Sequence, residues 1–143
     1  MLNIRLKKFR QLEIFTDGSH KGRWGSWAYV VVCNSKVLHE NSGRERKTNS
    51  HRMEFQAAIE ALKTLPVGSV GTIMTDSREL IKIFTLPRTR LAANADQIQT
   101  LDELLMKHKI SWKWIKAHSG ELHNERCDSL CIAARNISSL QEK

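Results

Sequence analysis

The chain has 143 residues, 41% of them hydrophobic and 27% charged, with a formal net charge of +8. That length suits one ordinary domain with a single sizeable core, and the composition is globular. No run of 18 apolar residues is present, which excludes an ordinary transmembrane helix; the positive charge points to a polyanionic partner, nucleic acid first.

The opening stretch carries Arg5, Lys7, Lys8 and Arg10 without an apolar core or a small-residue cleavage site. It reads as a basic N-terminal extension over residues 1–11, with no secretory signal expected. The domain is placed at 12–138 and a C-terminal tail at 139–143. Leu12 to Thr16 reads as a strand leading into Asp17-Gly18-Ser19, a turn signal. Ser26 to Cys33 is a second strand rich in Trp, Tyr and Val. Asn34-Ser35 is its hairpin turn, and Lys36 to Ser42 the returning strand.

The period then changes. Met53, Ala57, Ala58, Ala61, Leu62 and Leu65 make one apolar stripe, so Ser50 to Leu65 is a helix stopped by Pro66 and Gly68. Gly71 to Thr75 is a buried strand before Asp76. Ser77 to Phe84 is a short helix capped by Ser77 or Asp76. Thr85 to Ala93 is a loop with Arg88 and Arg90, and Asn94 to His108 is helical. Ile110, Trp112 and Trp114 alternate with polar residues, a strand whose tryptophans read as core. Trp27 reads as core as well, whereas Trp24 is a candidate for stacking on bases. Glu121 to Asn136 is the last helix, with Cys127, Leu130, Cys131 and Ala134 inward. Three antiparallel strands followed by β-α units imply an α/β fold, a mixed five-stranded sheet flanked by helices.

Three cysteines, an odd number, argue against a disulfide framework and make a reducing, cytoplasmic setting the default. Cys127 and Cys131, four apart, read as small buried hydrophobes; with His118 or His123 they lack a familiar zinc spacing.

Four carboxylates fall where this layout brings them together. Asp17 is expected at the end of the first strand and Asp76 at the end of the fourth, side by side if those strands are neighbours. Glu54 is in the first turn of the first helix and Asp128 at the edge of the last helix's buried face. Each alone has an ordinary reading as turn, cap or surface charge. Crowded together they repel unless a cation neutralises them. An all-oxygen donor set suits Mg²⁺, with Mn²⁺ possible. A carboxylate-bound metal site in a basic protein suits phosphodiester hydrolysis.

The runs Ile14-Phe15-Thr16-Asp17-Gly18-Ser19, Arg52-Met53-Glu54, Thr75-Asp76-Ser77, and His118-Ser119-Gly120 followed by Asn124-Glu125-Arg126-Cys127-Asp128 resemble type I ribonuclease H, the bacterial-like ribonuclease HI family. The similarity spans roughly Leu12 to Ala134. It implies a ribonuclease H-like fold and a metal site of Asp17, Glu54, Asp76 and Asp128. It implies endonucleolytic, two-metal cleavage of the RNA strand of RNA–DNA hybrids, leaving 5′-phosphate and 3′-hydroxyl ends. His118 becomes a proton shuttle on a mobile loop.

Substrate contacts implied by the resemblance fall on Gly18, Ser19 and His20, within the loop Ser19 to Gly25, on Asn49, Ser50 and His51 before the helix glutamate, and on Arg78 and Asn124. A monomer without membrane attachment is expected. The chain departs from the family pattern in several places. The first loop is shorter and poorer in glycine, Ser50 and His51 replace asparagines, and Arg78 replaces a glutamine. Between Ile83 and Gln97 the basic, tryptophan-bearing protrusion is missing. The N-terminal tail, or Arg44, Arg46 and Lys47, are candidates to compensate. Another nuclease of the same superfold, or an inactive hybrid-binding module, is the alternative.

Overall fold

The computed structural model describes residues 11–88 and 93–137. The basic residues before Gln11, Arg90 and the tail after 138 lie outside these. Five strands are seen: β1 (Gln11–Lys21), β2 (Trp24–Cys33), β3 (Lys36–Arg46), β4 (Val70–Thr75) and β5 (Lys109–Trp114). Helix α1 (Ser50–Lys63) follows β3. Helices α2 (Arg78–Thr85) and α3 (Ala95–Leu105) lie between β4 and β5, and α4 (Leu122–Arg135) follows β5. The sheet order is β3-β2-β1-β4-β5, antiparallel across the first three and parallel from β1 to β4 and β4 to β5. The mixed five-stranded α/β sheet expected from the sequence is therefore observed.

Strand alternation splits the core in two. Ile14, Tyr29, Val31 and Ile73 face one way and pack with Phe55, Ala58, Ile59 and Leu62 of α1, Leu80 of α2 and Leu101 of α3. Phe15, Ala28, Val30 and Val32 face the other way onto Cys127 and Cys131 of α4. The cysteines are thus small buried hydrophobes, all three free, with the Cys127 and Cys131 thiols pushed up by burial. Asn34 and Ser35 both take left-handed φ (51° and 65°), as a tight two-residue hairpin requires.

Two expectations are corrected. Asp17-Gly18-Ser19 is not a turn: β1 continues to Lys21, and Asp17 pairs with Ala28 in mid-ladder. The chain reverses at Gly22, whose φ of 63° supplies the left-handed position. Gly18 serves packing instead. A Cβ there would lie 2.3 Å from the Glu54 amide nitrogen and 2.4 Å from the Met53 carbonyl carbon, so glycine lets the start of α1 rest on the strand. The second correction is Trp114. It lies on edge strand β5 and is 37% exposed, while Trp112 is the core partner, stacked on Phe84 at 5.0 Å. Alternation along β5 puts both indoles on one face of the sheet, but only the Trp112 end of that face is covered.

Candidate active site

The register explains how distant acids meet. β1 and β4 pair in parallel with Phe15 opposite Met74, both turned toward α4. Two residues further along each strand come Asp17 and Asp76, so the ladder delivers both to one edge of the same face. Glu54 arrives from the opposite layer. Asn49 caps α1 by accepting from the Arg52 amide at 2.9 Å, and the first turn then abuts Gly18. The Arg52 guanidinium pairs with both oxygens of Asp96 (3.1 and 2.9 Å), and Gln97 donates to the Arg52 carbonyl at 2.9 Å, fixing this end of α1 to α3.

Ligand-capable oxygens of Asp17, Glu54 and Asp76 lie within 4.8 Å of one another. Asp17 is 7% and Glu54 9% exposed. The Gly18 amide donates to Glu54 Oε1 at 2.8 Å and to Asp17 Oδ1 at 3.0 Å, and Thr75 Oγ1 is 3.5 Å from Glu54 Oε2. Burial and the neighbouring Asp76 push Asp17 up to about 7. Burial, then the Asp17 and Asp76 charges, raise Glu54 well above the carboxylate range. Asp76 is raised chiefly by burial, opposed by the nearby His118. Asp128 adds to the repulsion felt by both Asp17 and Asp76.

A second cluster adjoins the first. His118, Glu125 and Asp128 also bring ligand-capable atoms within 4.8 Å of one another. Asp128 and Glu125 are three apart on α4, one face of one helix. His118 takes a left-handed φ of 53° in the loop before α4. Ser119 Oγ donates to the Lys116 carbonyl at 2.8 Å, and Glu121 caps α4 by accepting from the Asn124 amide at 2.7 Å. The structure thus gathers all five residues expected to be catalytic. Glu125 was missed by the sequence reading, although its spacing from Asp128 was visible. An all-carboxylate set whose members raise each other's pKa fits a hard divalent cation, because the negative charge is otherwise unsatisfied.

The residues expected to contact substrate lie on or beside the elements that carry this centre. Gly18 is at its floor, and Ser19 follows Asp17 along β1 with His20 exposed beyond it. Asn49, Ser50 and His51 are exposed at the start of α1. Arg78 begins α2 two residues from Asp76, its guanidinium 4.2 Å from the centroid of the Trp114 ring. Asn124 differs, being 4% exposed with Oδ1 lacking a hydrogen-bond partner among the described residues. The Trp24 ring is faced by the Arg44 and Arg46 guanidinium groups, at 3.8 and 5.1 Å from its centroid. Arg88 is engaged with both oxygens of Asp102 at 2.7 Å.

Comparison with known proteins converges on one family. The RNase H family model matches residues 10–136. The ribonuclease H of Cronobacter sakazakii is 35% identical over 147 aligned positions, covering 93% of this chain and 92% of its own. That of Haemophilus influenzae is 38% identical, covering 93% and 95%. Among solved structures, LC11-RNase H1 in complex with an RNA/DNA hybrid has a TM-score of 0.75 at 18% identity, covering 88% of this chain and 97% of that one. LC9-RNase H1, a type 1 enzyme with the type 2 active-site motif, has a TM-score of 0.76 at 18% identity, covering 93% and 80%. At that identity the structural likeness concerns the fold.

Proposed function

The chain belongs to the ribonuclease H family and is a nuclease, and on that premise we propose that it hydrolyses the RNA strand of RNA–DNA hybrids internally, leaving 5′-phosphate and 3′-hydroxyl ends. The observation that carries this reading is the convergence of buried Asp17 and Glu54 with half-buried Asp76, and Asp128 beside them. The hybrid bound by LC11-RNase H1, which shares this fold, supports the substrate.

Asp17, Glu54, Asp76 and Asp128 would hold Mg²⁺, or Mn²⁺ in its place. A pair of such ions, when bound, lowers the pKa of the attacking water and stabilises the leaving oxygen. The protein's own groups do the rest. The Gly18 amide and Thr75 hydroxyl orient the Glu54 carboxylate so that it does not swing away from Asp17. His118, beside Asp128 and close enough to Asp76 to feel its charge, exchanges a proton with the attacking water or the leaving 3′-oxygen. Glu125 lies in the same cluster, where it orients or shares charge with that imidazole. Ser19, His20, Asn49, Ser50, His51 and Arg78 supply donors and acceptors to phosphates and 2′-hydroxyls, which tell RNA from DNA by shape and sugar chemistry. Asn124 is the exception, buried with its Oδ1 closed to solvent and so not placed to touch substrate directly.

The protein is taken to act as a monomer in a reducing, cytoplasmic compartment, in keeping with three free, buried cysteines. Among the described residues no helix is long and apolar enough to cross a membrane.

Incubation with matched hybrid, double-stranded RNA and double-stranded DNA, with Mg²⁺ or with chelator, tests the reading. Internal cuts in the RNA of the hybrid alone, metal-dependent and bearing 5′-phosphates, are expected. Equal cutting of the duplex controls would indicate another nuclease of this superfold, and hybrid binding without cutting an inactive module.

A further inference from the structure

Among the described residues Trp114 is the large aromatic that the sheet leaves exposed, and two polar groups use it. Its indole Nε1 donates to the Asp76 carbonyl at 3.1 Å. Its ring carries the Arg78 guanidinium at 4.2 Å. The two contacts flank the point where the chain leaves β4, places Asp76 and enters α2. The ladder sets up this arrangement: Thr75 pairs with Trp114, and the Ile115 amide donates to the Thr75 carbonyl at 2.9 Å.

Each contact has a consequence for the reaction. Asp76 sits past the last ladder residue of β4, where the chain turns toward the Ser77 cap of α2. The Trp114 N–H ties its main chain sideways to β5, so the direction of the carboxylate depends on the indole. Arg78 is exposed and takes part in none of the ion pairs among the described residues. Held over a ring face, a guanidinium still has in-plane N–H donors free to donate bidentately to a phosphate. Arg78 is two residues from Asp76, which puts a phosphate gripped there within reach of the reacting one.

We propose that Trp114 is a positioning residue that locks Asp76 and Arg78 into one unit, so that a backbone phosphate held by Arg78 sets the register of the scissile phosphate against the Asp76 carboxylate. This rests on the nuclease reading above and assigns a role to a side chain that chemistry alone would place in the core.

Phe and Leu replacements separate the two contacts. Trp114→Phe keeps a ring for Arg78 but loses the N–H. Trp114→Leu loses both, and Arg78→Lys keeps the charge but loses the guanidinium over the ring. Three readouts apply: hybrid affinity by fluorescence anisotropy in chelator, the rise in Tm on adding Mn²⁺, and kcat with KM.

Trp114→Phe is expected to change hybrid affinity less than twofold, to reduce the Mn²⁺-induced rise in Tm, and to lower kcat roughly three- to tenfold, the scale of one lost hydrogen bond. Trp114→Leu should show those effects and also weaken hybrid binding roughly two- to fivefold, the scale of one exposed cation–π contact, with Arg78→Lys matching it in affinity. Wild-type kcat and Mn²⁺ response in Trp114→Phe would overturn the link to Asp76. Wild-type affinity in Trp114→Leu would overturn the link to Arg78. Wild-type protein that neither binds nor cuts hybrid would defeat the hybrid-cleavage reading instead, while the Mn²⁺ response of Trp114→Phe would still decide the Asp76 link.

Discussion

Asp17 has a carboxyl raised to about 7 from an ordinary 3.8, because burial and Asp76 disfavour its charge. The sign of the resulting pH dependence follows from linkage. Between about pH 4 and pH 7 the folded chain holds a proton there that the unfolded chain has lost. Protonation therefore favours the fold, and metal-free protein should lose stability as pH rises through about 7. Glu54 and Asp76 are raised as well and act in the same direction. Glu40, Asp96 and Asp102 are lowered by their arginine partners and act oppositely, losing their contribution as pH falls below the ordinary carboxylate range. Those pairs are exposed, so their contribution is small.

Thermal melts in chelator across pH 5 to 8 should therefore show a falling Tm. Asp76→Asn should flatten the fall, since it removes a repelling charge, and melt a few degrees above wild type at pH 8. The same variant should lose hybrid cleavage by on the order of a hundredfold or more while keeping its fold, because a metal ligand is gone. A steeper pH profile in the variant would contradict this electrostatic account. At this scale the sequence was informative: residue types and their order indicated Asp17, Glu54, Asp76 and Asp128. Glu125 was not found, because a helix carboxylate near an N-terminus has an ordinary explanation in the dipole.

Elements carry those residues into contact, and the contact between β1 and α1 is the most demanding. Any side chain on Gly18 meets α1 backbone atoms at 2.3 and 2.4 Å, not a flexible side-chain end. Gly18→Ala should push the first turn of α1 away from β1, moving Glu54 from its 2.8 Å contact with the Gly18 amide. A cost of roughly 1–3 kcal/mol, the range for overpacking, is expected in denaturant melts, together with a large loss of activity. Full activity in Gly18→Ala would mean that this close approach does not set the site.

Helix and strand identities were legible because the apolar period changes visibly between Cys33 and Met53. The end of β1 was not. Asp-Gly-Ser is a common turn sequence, and nothing local shows that a helix from 36 residues later needs the glycine's empty volume. Trp114 was misplaced for a related reason. Alternation assigns a face, whereas whether anything covers that face at an edge strand depends on the position of α2.

Over the whole molecule, the two cores on either side of one sheet explain why a site can form at all. Residues of opposite parity on β1 serve different helices, so the strand that anchors α1 through Ile14 can present Asp17 toward α4. The acidic centre belongs to a chain whose formal net charge is +8. Hybrid affinity should therefore fall steeply with salt, log Kd changing with a slope of about one per phosphate contacted. A salt-independent Kd would mean that the basic surface is not the docking face.

Whether the acidic cluster is a cation site is read directly by calorimetric titration of Mn²⁺ into metal-free protein near pH 7. Saturable binding is expected, with a heat that varies with the buffer's ionisation enthalpy because Asp17 and its neighbours release protons as metal enters. Asp76→Asn should weaken or abolish that binding. Absence of saturable heat, or identical isotherms for both proteins, would contradict the assignment of Asp17, Glu54, Asp76 and Asp128 as the metal centre.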